Sequence, residues 1–283
     1  MAGILHDNSH HASIVHDSTQ RYVYETFKGH FHKAVGTDVG GDPTGAAGDV
    51  NILLGDRNSF EWHVIGTQTI LAPVRTSAGL NLVLDAENND GIELTLGNEF
   101  PEGTIISNVA GATRGTFVVG TDAPFFISFK FSLADVSGAD EVMLGLRKAE
   151  VYQAVIEDDY DEMAALDVES GDIKLRTILN AGTTAVTDTT DNWADTETKT
   201  LMVICDSDGS LSKDGTVGKC YFSIDGVKPT AEATSRFKFD SGEIVIPFFA
   251  YRHDSDVCDT IIAKEWESGL LIDASASYEL GAA

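Results

Sequence analysis

Three acids in one short stretch, Glu157, Asp159 and Glu162 of VIEDDYDEM, have the types and spacing most suggestive of catalysis in this sequence. Hydrolysis of a sugar linkage needs two carboxylates flanking the bond, one as acid and the other as nucleophile or base. The residues between them argue against that use. Asp158, Tyr160 and Asp161 give the segment no set of core-facing positions, so a solvated loop is expected here and not a cleft wall. A second acidic group, Asp206, Asp208 and Asp214 in DSDGSLSKDG, offers the hard oxygen ligands that calcium prefers. It lacks the spacing and terminal glutamate of an EF-hand loop, and Asp-Gly turn chemistry explains it with no metal; calcium stands as the alternative, with DSDVCD from Asp254 as a second cluster if folded nearby. His6, His10, His11 and His16 would converge on zinc only if their segment were helical, and no cysteine or carboxylate completes that set. The sequence contains no G-x-S-x-G, glycine-rich phosphate loop or C-x-x-C pair. No catalytic residue, resident metal or cofactor is therefore assigned.

Bulk composition narrows the class of partner. Lysine and arginine total 19 against 45 aspartates and glutamates, a formal charge of −26 that repels nucleic acid and anionic lipid. The apolar fraction of 42% is nevertheless that of a folding sequence. No apolar stretch is long enough to cross a bilayer, and MAGILHDNSHH lacks the basic start and apolar middle of a signal peptide. Three cysteines, Cys205, Cys220 and Cys258, are too few and odd in number for a disulfide scaffold, which fits assembly in a reducing cytoplasm. Cys205 and Cys220 lie on paired hairpin arms and are expected as apolar packing, with a disulfide as the minor alternative.

The elements that must position these residues are strands. From Phe60 onward FEWHVI, TQTILA, LNLVLD, IELTLG, GTFVVG, FFISFKFSL, EVMLGLRK and IKLRTIL follow one another at sandwich-like spacing. In FFISFKFSL, Phe125, Ile127, Phe129, Phe131 and Leu133 point one way while Ser128, Lys130 and Ser132 point the other. TLMVIC is apolar on both faces and predicts a covered central strand. KCYFSIDG predicts a strand burying Cys220, Phe222 and Ile224, exposing Tyr221, Ser223 and Asp225, and turning at Asp225-Gly226. In EIVIPFFAYRH, Pro247 predicts an edge or a bulge. The expected organisation is an N-terminal arm over 1–50, largely extended but with one strand in RYVYETFKGHFH that needs a partner sheet, a β-sandwich over 51–273, and a tail over 274–283.

The succession FFISFKFSL, EVMLGLRK, TLMVICDSDG…KCYFSIDGVKPT, GEIVIPFFAYRH and IIAKEWESG resembles the concanavalin A-like jelly roll of legume lectins, laminin G modules and family 16 glycoside hydrolases. That resemblance implies an all-β, two-sheet antiparallel sandwich, and it brings the E-x-D-x-x-E pattern of the hydrolases, whose intervening residues are mainly apolar, as those here are not. Stretches such as RKAEVYQA, DDYDEMAA, TILNAGTTAVTDTTDNWAD and GEIVIPF resemble virion structural proteins of tailed bacteriophages, marine podoviruses in particular. This second resemblance implies a non-enzymatic cement or decoration protein, assembled in the host cytoplasm, bound to the major capsid protein on the outer capsid surface as a dimer or trimer. The arm would then dock through Tyr22, Tyr24, Phe27 and Phe31. The alternative is a glycan-binding, lectin-like module for host attachment using Trp62, Trp193 or Trp266, with a family 16-like hydrolase ranked last.

Overall fold

β-branched and aromatic residues at period two make strands, and bounding turn-formers set their lengths. The computed structural model describes residues 22–27, 50–53, 59–65, 74–83, 91–96, 116–150, 152–233, 235–253 and 260–271. Among the described residues one sheet has seven strands: β1 (Tyr22–Thr26), β4 (Val74–Thr76), β5 (Gly79–Val83), β8 (Phe125–Leu133), β13 (Thr198–Asp206), β14 (Lys219–Ile224) and β16 (Thr260–Leu270). They run in the order β14-β13-β8-β16-β5-β4, with β1 also on β16. The other has nine: β2 (Val50–Leu53), β3 (Ser59–Ile65), β6 (Gly91–Leu96), β7 (Phe117–Val118), β9 (Glu141–Lys148), β10 (Met163–Glu169), β11 (Asp172–Ile178), β12 (Ala185–Asn192) and β15 (Ile244–Arg252). Their order is β12-β11-β10-β9-β15-β6-β3-β2, with β7 on β15. All pairings are antiparallel, and the chain passes repeatedly from sheet to sheet. The chain is thus an all-β, two-sheet antiparallel sandwich, as the strand spacing predicts, with the jelly-roll form that the first resemblance implies. Among the described residues there is no helix, so none is long and apolar enough to cross a membrane.

The core lies between the two inner faces. Phe125, Ile127, Phe129, Phe131 and Leu133 of β8 all enter it, facing Val142, Leu144 and Leu146 of β9 and Phe249 of β15. β13 lies between β14 and β8 as expected, its Leu201, Val203 and Cys205 inward and its Met202 and Ile204 in a separate outer cluster. Cys205 and Cys220 sit directly opposite one another, buried and free.

Two strand expectations need correcting. Tyr221 and Ser223 are each 8% exposed, because Tyr221 packs with Tyr22, Phe126, Met202 and Ile204 on a covered outer face. Asp225 and Gly226 do adopt the positive φ of a tight hairpin turn, 51° and 78°. β15 is interior and not an edge. Pro247 is tolerated there because β7 pairs through Ile244 and Val245 while β6 begins at Phe248, so the missing N–H falls in the gap between them.

The segment read as an arm also contributes to the fold. β1 finds its partner sheet on β16, Tyr22 opposite Gly269 and Thr26 opposite Glu265, on the edge that β5 uses for Thr260–Ala263. Phe27 follows it into the core, 1% exposed, with ring centroids 6.1 Å from Phe60 and 6.2 Å from Phe129. The boundary at residue 50 therefore does not separate arm from sandwich over 22–27.

Candidate functional site

On β9, β6 and β10 every second residue faces away from the core, and these outward positions are not wet. Met143, Met163, Ala165, Ile178, Phe248, Ala250 and Ile65 form an outer apolar cluster covered by the β9–β10 connection, whose Ile156 and Tyr160 are fully buried in it. The solvated loop expected of VIEDDYDEM is thus a cover. Ile156 and Tyr160, four residues apart, are the core-facing pair that gives it a hold.

Under this cover lies a buried polar centre. Arg147 Nε donates to Glu93 Oε1 at 2.6 Å, both side chains 0% exposed. Its Nη1 donates to the carbonyls of Lys148 and Glu150 at 2.9 and 3.3 Å. The Tyr160 hydroxyl donates to the other Glu93 oxygen. The guanidinium lies 4.4 Å from the Tyr160 ring centroid and 5.2 Å from that of Tyr152. Tyr152 in turn stacks on His63 at 4.0 Å and shares a 3.0 Å hydrogen bond with Thr95. Burial disfavours the Arg147 charge, but Glu93, Tyr160 and Tyr152 together outweigh it and hold the group above its ordinary value. Burial also pushes the Tyr160 phenol up. The arrangement locks the cover to the sheet, most of its hydrogen-bonding groups being turned on one another, while Arg147 Nη2 is buried without a hydrogen-bond partner among the described residues.

Glu157 and Glu162 do not face each other. Glu157 pairs with Arg252, which also lies 3.7 Å from Glu141. Glu162 is buried near Asp240 and Glu243, its carboxyl raised to about 7 by desolvation. Glu157 is engaged by Arg252 at the end of β15 and Glu162 by the Asp240 N–H at 3.5 Å, before β15 begins, so the two acids have separate partners and do not make the pair that glycoside hydrolysis needs. Around Glu141 the charges are Glu157 in the β9–β10 connection, Arg252 on β15, Asp167 on β10 and Arg176 on β11. Arg176 Nη2 contacts Asp167 at 2.7 Å.

Burial raises Glu141 from 4.5 to about 8, and Glu157 and Asp167 push it the same way against Arg252 and Arg176. A carboxyl raised in the folded state stabilises fully below its unfolded value near 4.5, and that contribution is lost as pH rises through about 8. The thermal midpoint should therefore fall between pH 6 and pH 9, and Glu141→Gln should fall less over the same range. Parallel wild-type and variant curves would exclude Glu141 as the titrating group.

The Asp206, Asp208 and Asp214 carboxylates are each engaged locally. Asp206 accepts the backbone N–H groups of Leu211 and Ser212 at 3.0 and 2.8 Å. Asp208 accepts from Ser210 N–H at 2.9 Å, and Asp214 from Thr216 N–H and Lys219 Nζ at 3.1 Å. They shape the hairpin tip, and among the described residues no three His, Cys, Asp or Glu side chains form a group able to hold a metal ion. His6, His10, His11, His16, Cys258, the Asp254 stretch and Phe31 lie outside the described residues. Of the other proposed anchors, Tyr22 and Phe27 are buried against their own sandwich and Tyr24 is half-buried. Trp193 and Trp266 are buried core residues, bonded to Glu197 O and Ser268 Oγ at 3.0 Å.

An open site exists elsewhere, at the sandwich rim between β11–β12 and β14. There a groove of about 290 Å3 has Leu175, Thr177, Ala185 and Thr187 on its sheet wall and Phe222 at its base. The opposite wall is the segment after the β14 hairpin, with Glu232, Ser235, Arg236, Phe237 and Lys238. Arg236 lies 4.6 Å over the Tyr221 ring and 2.9 Å from Glu232, which also holds Lys228 at 2.9 Å. No motif signals this site, because its walls are about fifty residues apart in the chain and the segment 228–238 carries no recognisable pattern.

No family model matches the chain, and no curated protein matches it. Among solved structures it is similar to the Emp47p carbohydrate recognition domain, with 13% identity over 77% of this chain and 90% of that one and a TM-score of 0.45. The carbohydrate binding module CBM66 from Bacillus subtilis gives 11%, 72%, 91% and 0.40 for the same measures. Trypanosoma rangeli sialidase gives 7% identity over 89% of this chain but only 31% of that one, with a TM-score of 0.44. At these values the likeness is one of fold.

Proposed function

We propose that this chain is a non-catalytic recognition module that holds a saccharide in the rim groove. The observation that carries the reading is the groove lining: the half-buried Phe237 offers apolar surface to a sugar ring beside the buried Leu175 and Phe222, and the Thr177, Thr187 and Ser235 hydroxyls stand near it. The outer face of the nine-stranded sheet, by contrast, is filled by its own loop. The non-catalytic part rests on the separation of Glu157 from Glu162. A glycan array on the full chain, followed by calorimetry on the best ligand, tests the reading. Phe237→Ala should weaken binding about tenfold, in line with an aromatic contact of 0.5–1.5 kcal/mol or slightly more. Absence of any saccharide binding, or binding that Phe237→Ala leaves unchanged, would refute it.

A further inference from the structure

Charge at the groove departs from that of the molecule. Although the chain carries −26 overall, the groove and its immediate ion partners hold Lys228, Arg236 and Lys238 against Glu232, three cations to one carboxylate. Glu232 is shared by Lys228 and Arg236, which leaves the exposed Lys238 with no ion pair among the described residues. An ammonium at the mouth of an apolar, hydroxyl-lined groove is complementary to a ring bearing an anionic group.

We propose that the groove selects an acidic saccharide, its ring against Phe237 and its carboxylate or sulfate against Lys238. This inference rests on the saccharide reading above and adds the ligand class to it. A saccharide suits the site better than an acidic peptide, because the groove is short and Thr177, Thr187 and Ser235 present hydroxyl partners for a polyhydroxylated ring. The remaining strong negative charge then discourages anionic ligands everywhere but here.

The test is calorimetric titration of the full chain with oligogalacturonate, a sulfated heparin-derived oligosaccharide, a neutral cello-oligosaccharide and an oligoglutamate peptide. At least one of the two acidic saccharides should bind about tenfold more tightly than the neutral one, and the difference between the two tells carboxylate from sulfate. Lys238→Gln should abolish most of that preference by weakening acidic binding about tenfold more than neutral binding, and Lys213→Gln, on the hairpin tip, should leave both unchanged. Equal binding of neutral and acidic saccharides would overturn the inference and leave the saccharide reading standing. Oligoglutamate binding as tight as the acidic saccharides would overturn it in favour of a peptide ligand. If no saccharide of either kind bound, both proposals would fall together.

Discussion

Replacing Arg147 with methionine should destabilise the protein by about 3–5 kcal/mol, because it strands the Glu93 carboxylate, 0% exposed, without its charged partner. The size of the effect comes from the partner left behind and not from the value of the pair itself. For that reason Glu93→Gln combined with Arg147→Met should recover a large part of the loss. Chemical denaturation of the two single variants and the double variant measures the coupling. The Tyr160 hydroxyl also bonds to Glu93, so amide exchange over 152–162 should accelerate in Arg147→Met well before global unfolding. A double variant no more stable than either single one would show that the centre acts through packing alone.

Phe27→Ala should cost about 3–5 kcal/mol, the range for deleting a buried aromatic ring. The ring sits between Phe60 and Phe129 and ties β1 to both sheets. Removing everything before Asp49 would delete β1 and a core side chain, so that truncation should unfold the sandwich. Deletion of residues 1–20 leaves β1 intact, and its melting curve should match the full chain. A Phe27→Ala melting midpoint equal to wild type would show that β1 is dispensable.

How much was legible in the sequence follows from what alternation encodes. β8 is readable to the residue because five apolar side chains on one face leave one register. Tyr221, by the same logic, reads as exposed, since alternation assigns faces but cannot say whether a face is covered. The same limit hid the polar centre: Glu93 between Ile92 and Leu94, and Arg147 after Leu146, read as ordinary solvent-facing positions. The signal that they are covered lies elsewhere, in Ile156 and Tyr160 within an otherwise acidic loop. Pro247 was read correctly as unable to donate, yet the gap between β7 and β6 that accommodates it depends on which strands arrive beside β15. The groove was illegible altogether, since it is made by the meeting of distant segments and not by any one of them.

The placement of β16 bears on how the molecule is made. Its Glu267 receives the Tyr22 hydroxyl across 245 residues of chain, and the same strand supplies the neighbour of β8 at the centre of its sheet. During synthesis β1, β5 and β8 all emerge before the strand that joins them, exposing unpaired edges until residue 270 has left the ribosome. A nascent chain that has not yet exposed β16 is therefore prone to aggregation through those edges.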